Sequence, residues 1–134
     1  MLALVFFAAA CGGDEHPRCA ECGMATGRDP KWEAGVTTAD GKALVFDTPR
    51  CLLRWLRSEG ARGAAGPWVT EYYSSRKAPA AFVYYVIGSD VSGPMGREVV
   101  PVSTRPSAER FMAEHHGTAV RDFDHLEAAD LAPP

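Results

Sequence analysis

Positive charge is not in surplus in this sequence. Lysine and arginine number 14 against 17 aspartates and glutamates, a formal net charge of −3, so the chain lacks the basic footprint that nucleic-acid binding needs. Cysteine is scarce as well: four in 134 residues are too few to staple a domain of this size as a disulfide scaffold. The apolar stretch at the front, residues 1–10, is too short to span a bilayer. What remains is 46% apolar and 23% charged, the balance of an ordinary folded domain, not of a disordered one. At this length the chain holds one compact domain or two small fused units around a modest core.

Against that background one stretch is dense in chemistry. His16-Pro17-Arg18-Cys19-Ala20-Glu21-Cys22-Gly23-Met24 gathers an imidazole, two thiols and a thioether. Thiolate and thioether are soft donors that together select Cu(I) over harder ions. If the segment is extended, Cys22 and Met24 leave the same face of the backbone with only Gly23 between them. A single C-x-x-C also reads as half a zinc site, but no second C-x-x-C or paired-histidine half follows it. A thioredoxin-like motif would set the first cysteine at a helix N-terminus, which Gly23, Gly27 and Pro30 oppose. A structural disulfide between Cys19 and Cys22, or two inert thiols, is the plainer alternative.

At the front, Ala8-Ala9-Ala10-Cys11 follows an apolar run and precedes Gly12-Gly13-Asp14-Glu15. Small residues ahead of a cysteine in this setting resemble the bacterial lipobox. The expectation is a lipoprotein signal-like leader over 1–10, acylation of Cys11, and a polar tether over 11–18 that leaves the domain lipid-anchored to a bacterial membrane.

The body of the chain reads as two similar units, 19–77 and 78–126, with a polar tail over 127–134. In the first, residues 32–39 and 42–46 are strands joined by Asp40-Gly41, a type I′ hairpin signal. Thr48 is the expected N-cap of a helix with Pro49 at its first position and Gly60 just past its end. Cys51, Leu52, Trp55 and Leu56 share one stripe of that helix, so Cys51 reads as a packed core thiol. Residues 68–74 return as a strand. In the second unit Phe82-Val83-Tyr84-Tyr85-Val86-Ile87 is apolar on both faces and reads as a central strand. It runs into Gly88-Ser89-Asp90-Val91-Ser92-Gly93-Pro94-Met95-Gly96, where Met95 occupies a turn, an unusual place for an apolar side chain. Strand 98–103, interrupted by Pro101, leads to a helix capped by Thr104 and closing at Gly117, with Ala108, Phe111, Met112 and His115 inward. Met112 is core, and His115, His116 and His125 carry no readable role. Strand 118–123 completes a second strand-strand-helix-strand run. The fold class is α+β: a duplicated ββαβ unit, small mixed sheets each backed by a helix.

Cys19-Ala20-Glu21-Cys22-Gly23-Met24, the Asp40-Gly41 turn followed by Phe46-Asp47 and the Cys51-Leu52-Leu53 helix, and Gly88-Ser89-Asp90 running to Gly93-Pro94-Met95-Gly96 ahead of Ala108-Glu109-Arg110-Phe111 together resemble the NosL family, the copper-binding accessory lipoproteins of nitrous-oxide reductase. The resemblance implies a ββαβ pair related to the organomercurial lyase fold and a periplasm-facing Cu(I) metallochaperone without enzymatic turnover. Its implied partners are the apo form of nitrous-oxide reductase and a membrane ABC-type copper-assembly transporter. The ligands it implies are Cys22, Met24 and Met95, with Cys19 and His16 as second choices and zinc as a possible second metal. The rival functions are a periplasmic thiol-disulfide oxidoreductase acting through Cys19 and Cys22, and a lipid-anchored interaction module.

Overall fold

The hairpin expected at Asp40-Gly41 forms, but with a different turn. In the computed structural model, which describes residues 16–134, β1 (Ala34–Thr37) and β2 (Ala43–Phe46) pair antiparallel with Ala34 opposite Phe46. Gly41 alone in the connection has a positive φ, +84°, and its N–H donates to the Thr38 carbonyl at 2.9 Å. A type I′ turn needs both central residues at positive φ. Asp40 stays negative and accepts the Thr38 hydroxyl, so the loop is a type I turn closed by glycine. The leader, the acylation expected at Cys11 and most of the tether lie outside the described residues.

α1 (Pro49–Trp55) starts as the sequence dictates. The Thr48 hydroxyl accepts the Cys51 N–H at 3.2 Å and Pro49 takes the first helical position, where its missing N–H costs nothing. The helix ends before Gly60. Arg57 and Ser58 bond only three residues back, to the Arg54 and Trp55 carbonyls, and the Ser58 hydroxyl also donates to Trp55. That tightens the last turn and leaves Gly60 in a separate 3-10 turn, Glu59–Ala61.

β3 (Ala65–Thr70) then pairs with β1, and β4 (Lys77–Pro79) with β3, giving the order β2-β1-β3-β4. The second half follows the same plan. β5 (Tyr84–Ile87) lies between β8 (Val100–Val102) and β9 (Ala119–Arg121), and α2 (Arg105–Glu114) connects those two outer strands. A short ribbon of β6 (Ser92–Gly93) and β7 (Gly96–Arg97) leaves the sheet between β5 and β8. In each half the first strand is flanked by the second and third, and a helix joins those two. The sheets are antiparallel throughout, where mixed sheets were expected. The helix-linked outer strands run the same way but never touch, because the central strand lies between them and opposes both.

Pro101 is tolerated because β8 is an outer strand. Its carbonyl faces away from β5 and accepts the Tyr72 N–H at 2.9 Å, so the donor it lacks is not missed by the ladder. α2 is capped by Thr104, whose hydroxyl accepts the Ser107 N–H at 3.3 Å. Its left-handed terminal residue is His116, φ +55°, rather than the expected Gly117, and Gly117 N–H donates to the Met112 carbonyl at 2.8 Å.

Two cores result. Val36, Phe46, Leu52, Leu53 and Val69 pack the first sheet against α1, and Val86, Val100, Val102, Ala108 and Phe111 pack the second against α2. Each of these valines, leucines and phenylalanines contributes about 1.5–3 kcal/mol by leaving water, and Ala108 less. Phe82, expected within the central strand, lies in a 3-10 turn ahead of it and is 79% exposed. Cys19 and Cys51 belong to the first core, which sets that core against the loop carrying the two N-terminal cysteines. Among the described residues no helix is long and apolar enough to cross a membrane.

Candidate metal centre

The segment holding Cys19 and Cys22 is a closed loop and not an extended strand. Arg18 bridges Ala25 in antiparallel fashion, the Cys19 N–H donates to the Met24 carbonyl at 2.7 Å, and the Gly23 N–H turns back to the Cys19 carbonyl at 2.9 Å. Gly23 adopts φ +77°, a conformation that side-chain-bearing residues rarely take. The loop is fastened to β2 through the Ala20 N–H and the Val45 carbonyl, 3.2 Å apart. That bond sets it beside the end of β2 and the first turn of α1.

Four donors meet there. Ligand atoms of Cys19, Cys22, Asp47 and Cys51 all lie within 4.8 Å of one another. Asp47 immediately follows β2, and its carboxylate oxygens lie 3.4 and 3.5 Å from the Cys22 sulfur. Cys51 comes from the first turn of α1, and its sulfur lies 3.6 Å from the Met95 thioether. Cys19, Cys51 and Asp47 are buried and Cys22 is half-buried. All three thiols are free, so the plain disulfide between Cys19 and Cys22 is not formed.

The thiols are electrically unequal. Cys19 falls to about 6, chiefly because it accepts a hydrogen bond from Cys51, helped by backbone N–H groups of Cys22, Asp47 and Glu21. Burial pushes Cys22 up to about 11. Cys51 is raised far above the ordinary thiol range, first by its hydrogen bond to Cys19 and then by burial. Without metal, the hydrogen bond from Cys51 favours the thiolate at Cys19 and the protonated thiol at Cys51, and burial favours the protonated thiol at Cys22 and Cys51.

Met95 reaches this cluster, and Met24 lies beside it, sharing a hollow with Asp47. Met95 is half-buried and packs against the first core; with Cys22 and Cys51 it lines a cavity of about 220 Å³ that also touches Arg50, Arg54 and Pro133-Pro134. The Met24 backbone N–H meets the Cys22 sulfur, but the side chain stays 43% exposed and borders a neighbouring hollow with Asp47 and Pro94. The turn at Gly23 replaces the extended conformation expected for this segment. His16 is exposed, and no histidine joins the donor group among the described residues. His115 pairs with Asp90 and His125 with Asp122, both in the open.

Asp47 and Cys51 are the donors that reading the sequence missed. The apolar stripe predicts a buried Cys51, and it is buried; what the stripe hides is that a residue three past the cap sits in the first helical turn, facing whatever precedes the helix. The Thr48-Pro49 cap was the available signal, since it fixes Asp47 just before the helix and Cys51 just inside it.

Beneath the centre lies a second polar pair. Glu98 is buried, accepts the N–H groups of Arg50 at 3.3 Å and Val99 at 3.0 Å, and lies 3.8 Å from the Arg50 Nε. The Arg50 guanidinium donates to the Arg97 carbonyl. Burial pushes the Glu98 carboxyl up to about 7 despite the adjacent cation.

The family model NosL matches residues 13–131. Among solved structures, the crystal structure of the copper chaperone NosL from Shewanella denitrificans aligns with a TM-score of 0.75 at 24% identity, covering 84% of this chain and 90% of that one. At that identity the likeness establishes the fold. No curated protein sequence matches the chain.

Proposed function

The chain belongs to the NosL family, and from that premise we propose that it is a Cu(I)-binding metallochaperone that delivers copper to the apo form of nitrous-oxide reductase. The observation that carries the proposal is the convergence of the Cys19, Cys22 and Cys51 sulfurs and the Asp47 carboxylate within 4.8 Å, with the Met95 thioether against Cys51. Soft sulfur donors favour monovalent copper. Of the ligands that the resemblance implies, Cys22, Met24 and Met95, the first and last are joined here by Cys51, with Cys19 as a further sulfur beside them. Met24, next to the site but outward, is assigned to the stage at which copper enters or leaves, with His16 as a further entry donor. A thioether is neutral and weak beside a thiolate, so a mixed set holds copper while allowing stepwise exchange onto a partner's ligands. Three thiols and a carboxylate also suit zinc as a competing ion.

The same proposal sets the protein facing the periplasm, anchored through acylated Cys11, and working with a membrane ABC-type transporter. The sequence grammar of residues 1–11 and the family's association with nitrous-oxide reductase support these parts.

The test is competition for Cu(I) against a chromogenic chelator, using wild type beside Cys22→Ser, Cys51→Ala, Met24→Ala and Met95→Ala. One copper per chain is expected, with Cys22→Ser and Cys51→Ala losing most affinity, Met95→Ala losing less, and Met24→Ala changing the transfer rate more than the affinity. A wild-type chain that yields its copper to the weakest chelator would sink the reading.

A further inference from the structure

The ribbon that carries Met95 cannot hold itself in place. β6 and β7 are two residues each, and a two-stranded ribbon of that size is not stable alone in water. A thiol and a thioether are a weak donor and a weak acceptor, so the 3.6 Å contact between the Cys51 and Met95 sulfurs does not fasten it. The Trp32 ring under Gly93 and Pro134 beside Gly96 give it apolar seats, but apolar contact is non-directional.

Direction comes from one residue of α1. The Arg50 guanidinium donates to the Arg97 carbonyl at the end of β7, and the Arg50 N–H donates to the Glu98 carboxylate at 3.3 Å. Arg50 directly precedes Cys51, and Arg97 follows Met95 by two positions. The two links thus stand close to both sulfurs along the chain. The pair is poorly built for stability alone. Among the described residues, the buried side-chain atoms without a hydrogen-bond partner are Arg50 Nε, Arg50 Nη1 and Glu98 Oε2, each stripped of water without compensation. Apolar side chains of similar volume would stabilise the fold as well or better.

We propose that Arg50 is a positioning residue of the metal centre, which through the Arg97 carbonyl holds the β6–β7 turn so that the Met95 thioether meets Cys51. A guanidinium has no lone pair to give a metal, so Arg50 acts only through Met95. That Met95 is a ligand rests on the copper reading. The fastening of the ribbon does not.

Arg50→Leu removes the donor and adds no sulfur. Because losing the guanidinium alone would strand the buried Glu98 charge, the substitution is read both in wild type and in Glu98→Gln, whose side-chain oxygen can still accept both N–H groups. In the metal-free full chain, amide hydrogen exchange over residues 92–98 is expected to quicken about tenfold or more while the β5 amides keep the parent's rates. Ribbon amides that exchange at the parent's rate in either background overturn the proposal, as does a rise shared equally by β5 in the Glu98→Gln background. In chelator competition for Cu(I), Arg50→Leu is expected to weaken binding about tenfold, Met95→Leu by a similar factor, and the two together no more than either alone. Losses that multiply put Arg50 outside any path through Met95 and overturn the proposal. A wild-type chain that binds no copper overturns the proposed function instead, and the exchange measurement alone then decides whether Arg50 fastens the ribbon.

Discussion

The sulfur of Cys51 and the sulfur of Met95 lie 3.6 Å apart, although 44 positions and four strands separate them in the chain. One comes from the first turn of α1 and the other from the turn between β6 and β7, so the ribbon that leaves the second sheet ends on the first core. This contact brings the second half of the fold to the metal centre.

Replacing Met95 by leucine keeps the packing and removes the sulfur. Cu(I) affinity is expected to fall by about tenfold or more, roughly 1.4 kcal/mol, with unchanged thermal stability. Met24→Leu, on an exposed side chain, is expected to leave the affinity nearer wild type. Chelator titration with circular dichroism on the same samples checks both.

Copper affinity should climb with pH. Cys22 and Cys51 are protonated at neutrality and must release their protons to bind as thiolates, so affinity is expected to rise about tenfold per pH unit for each thiol released. Cys19 ionises near 6, so below that value a further proton competes and the dependence steepens. Measuring the dissociation constant from pH 5 to 8.5 reads the slope; a flat profile argues against thiolate ligation.

Thr48 couples helix and site. Its hydroxyl receives the Cys51 N–H, and Thr48→Ala is expected to cost about 1 kcal/mol of stability in urea unfolding. Because the freed residue bears the Cys51 thiol, the same variant should also bind Cu(I) more weakly, an effect that an ordinary surface cap would not produce.

Glu98 sets a pH trend of the opposite kind. Its carboxyl is raised from the usual range to about 7 by burial, so the folded state binds the proton more tightly than the unfolded chain. That stabilisation is complete below about pH 4.5 and is lost as pH rises to about 7, an effect of up to about 3 kcal/mol. Glu98→Gln, locked neutral, should not show this loss; denaturation of wild type and variant at pH 5 and pH 8 tests it, and parallel slopes would refute the assignment.

Gly35 has no room for a methyl group. A β-carbon there would lie 2.7 Å from the Trp68 ring on the neighbouring strand, so Gly35→Ala is expected to cost about 1–3 kcal/mol as the ring is forced aside. Chemical denaturation measures it directly.

The elements that sequence made legible are those governed by local rules. The caps at Thr48 and Thr104, the turn at Gly41 and the buried run Tyr85-Val86 each act over a few residues, and each fell within a few positions of expectation. What local rules could not supply was direction. The segment from Cys22 to Met24 reads as a strand because nothing within those residues announces that Gly23 will turn through positive φ, in a loop closed by its bond to Cys19. Cys51 showed its burial in the helical stripe but not its neighbours. Asp47 looked like an ordinary turn residue until β2 and the N-terminal loop were set side by side.

The sulfurs at positions 19, 22, 51 and 95 are supplied by a loop, a helix and a ribbon that adjoin only once both sheets have closed. A denatured chain offers the same atoms scattered, and so has little chelating power. Any ion held by the finished arrangement therefore acts as a late clasp: it leaves the early steps of folding untouched and slows only the return journey.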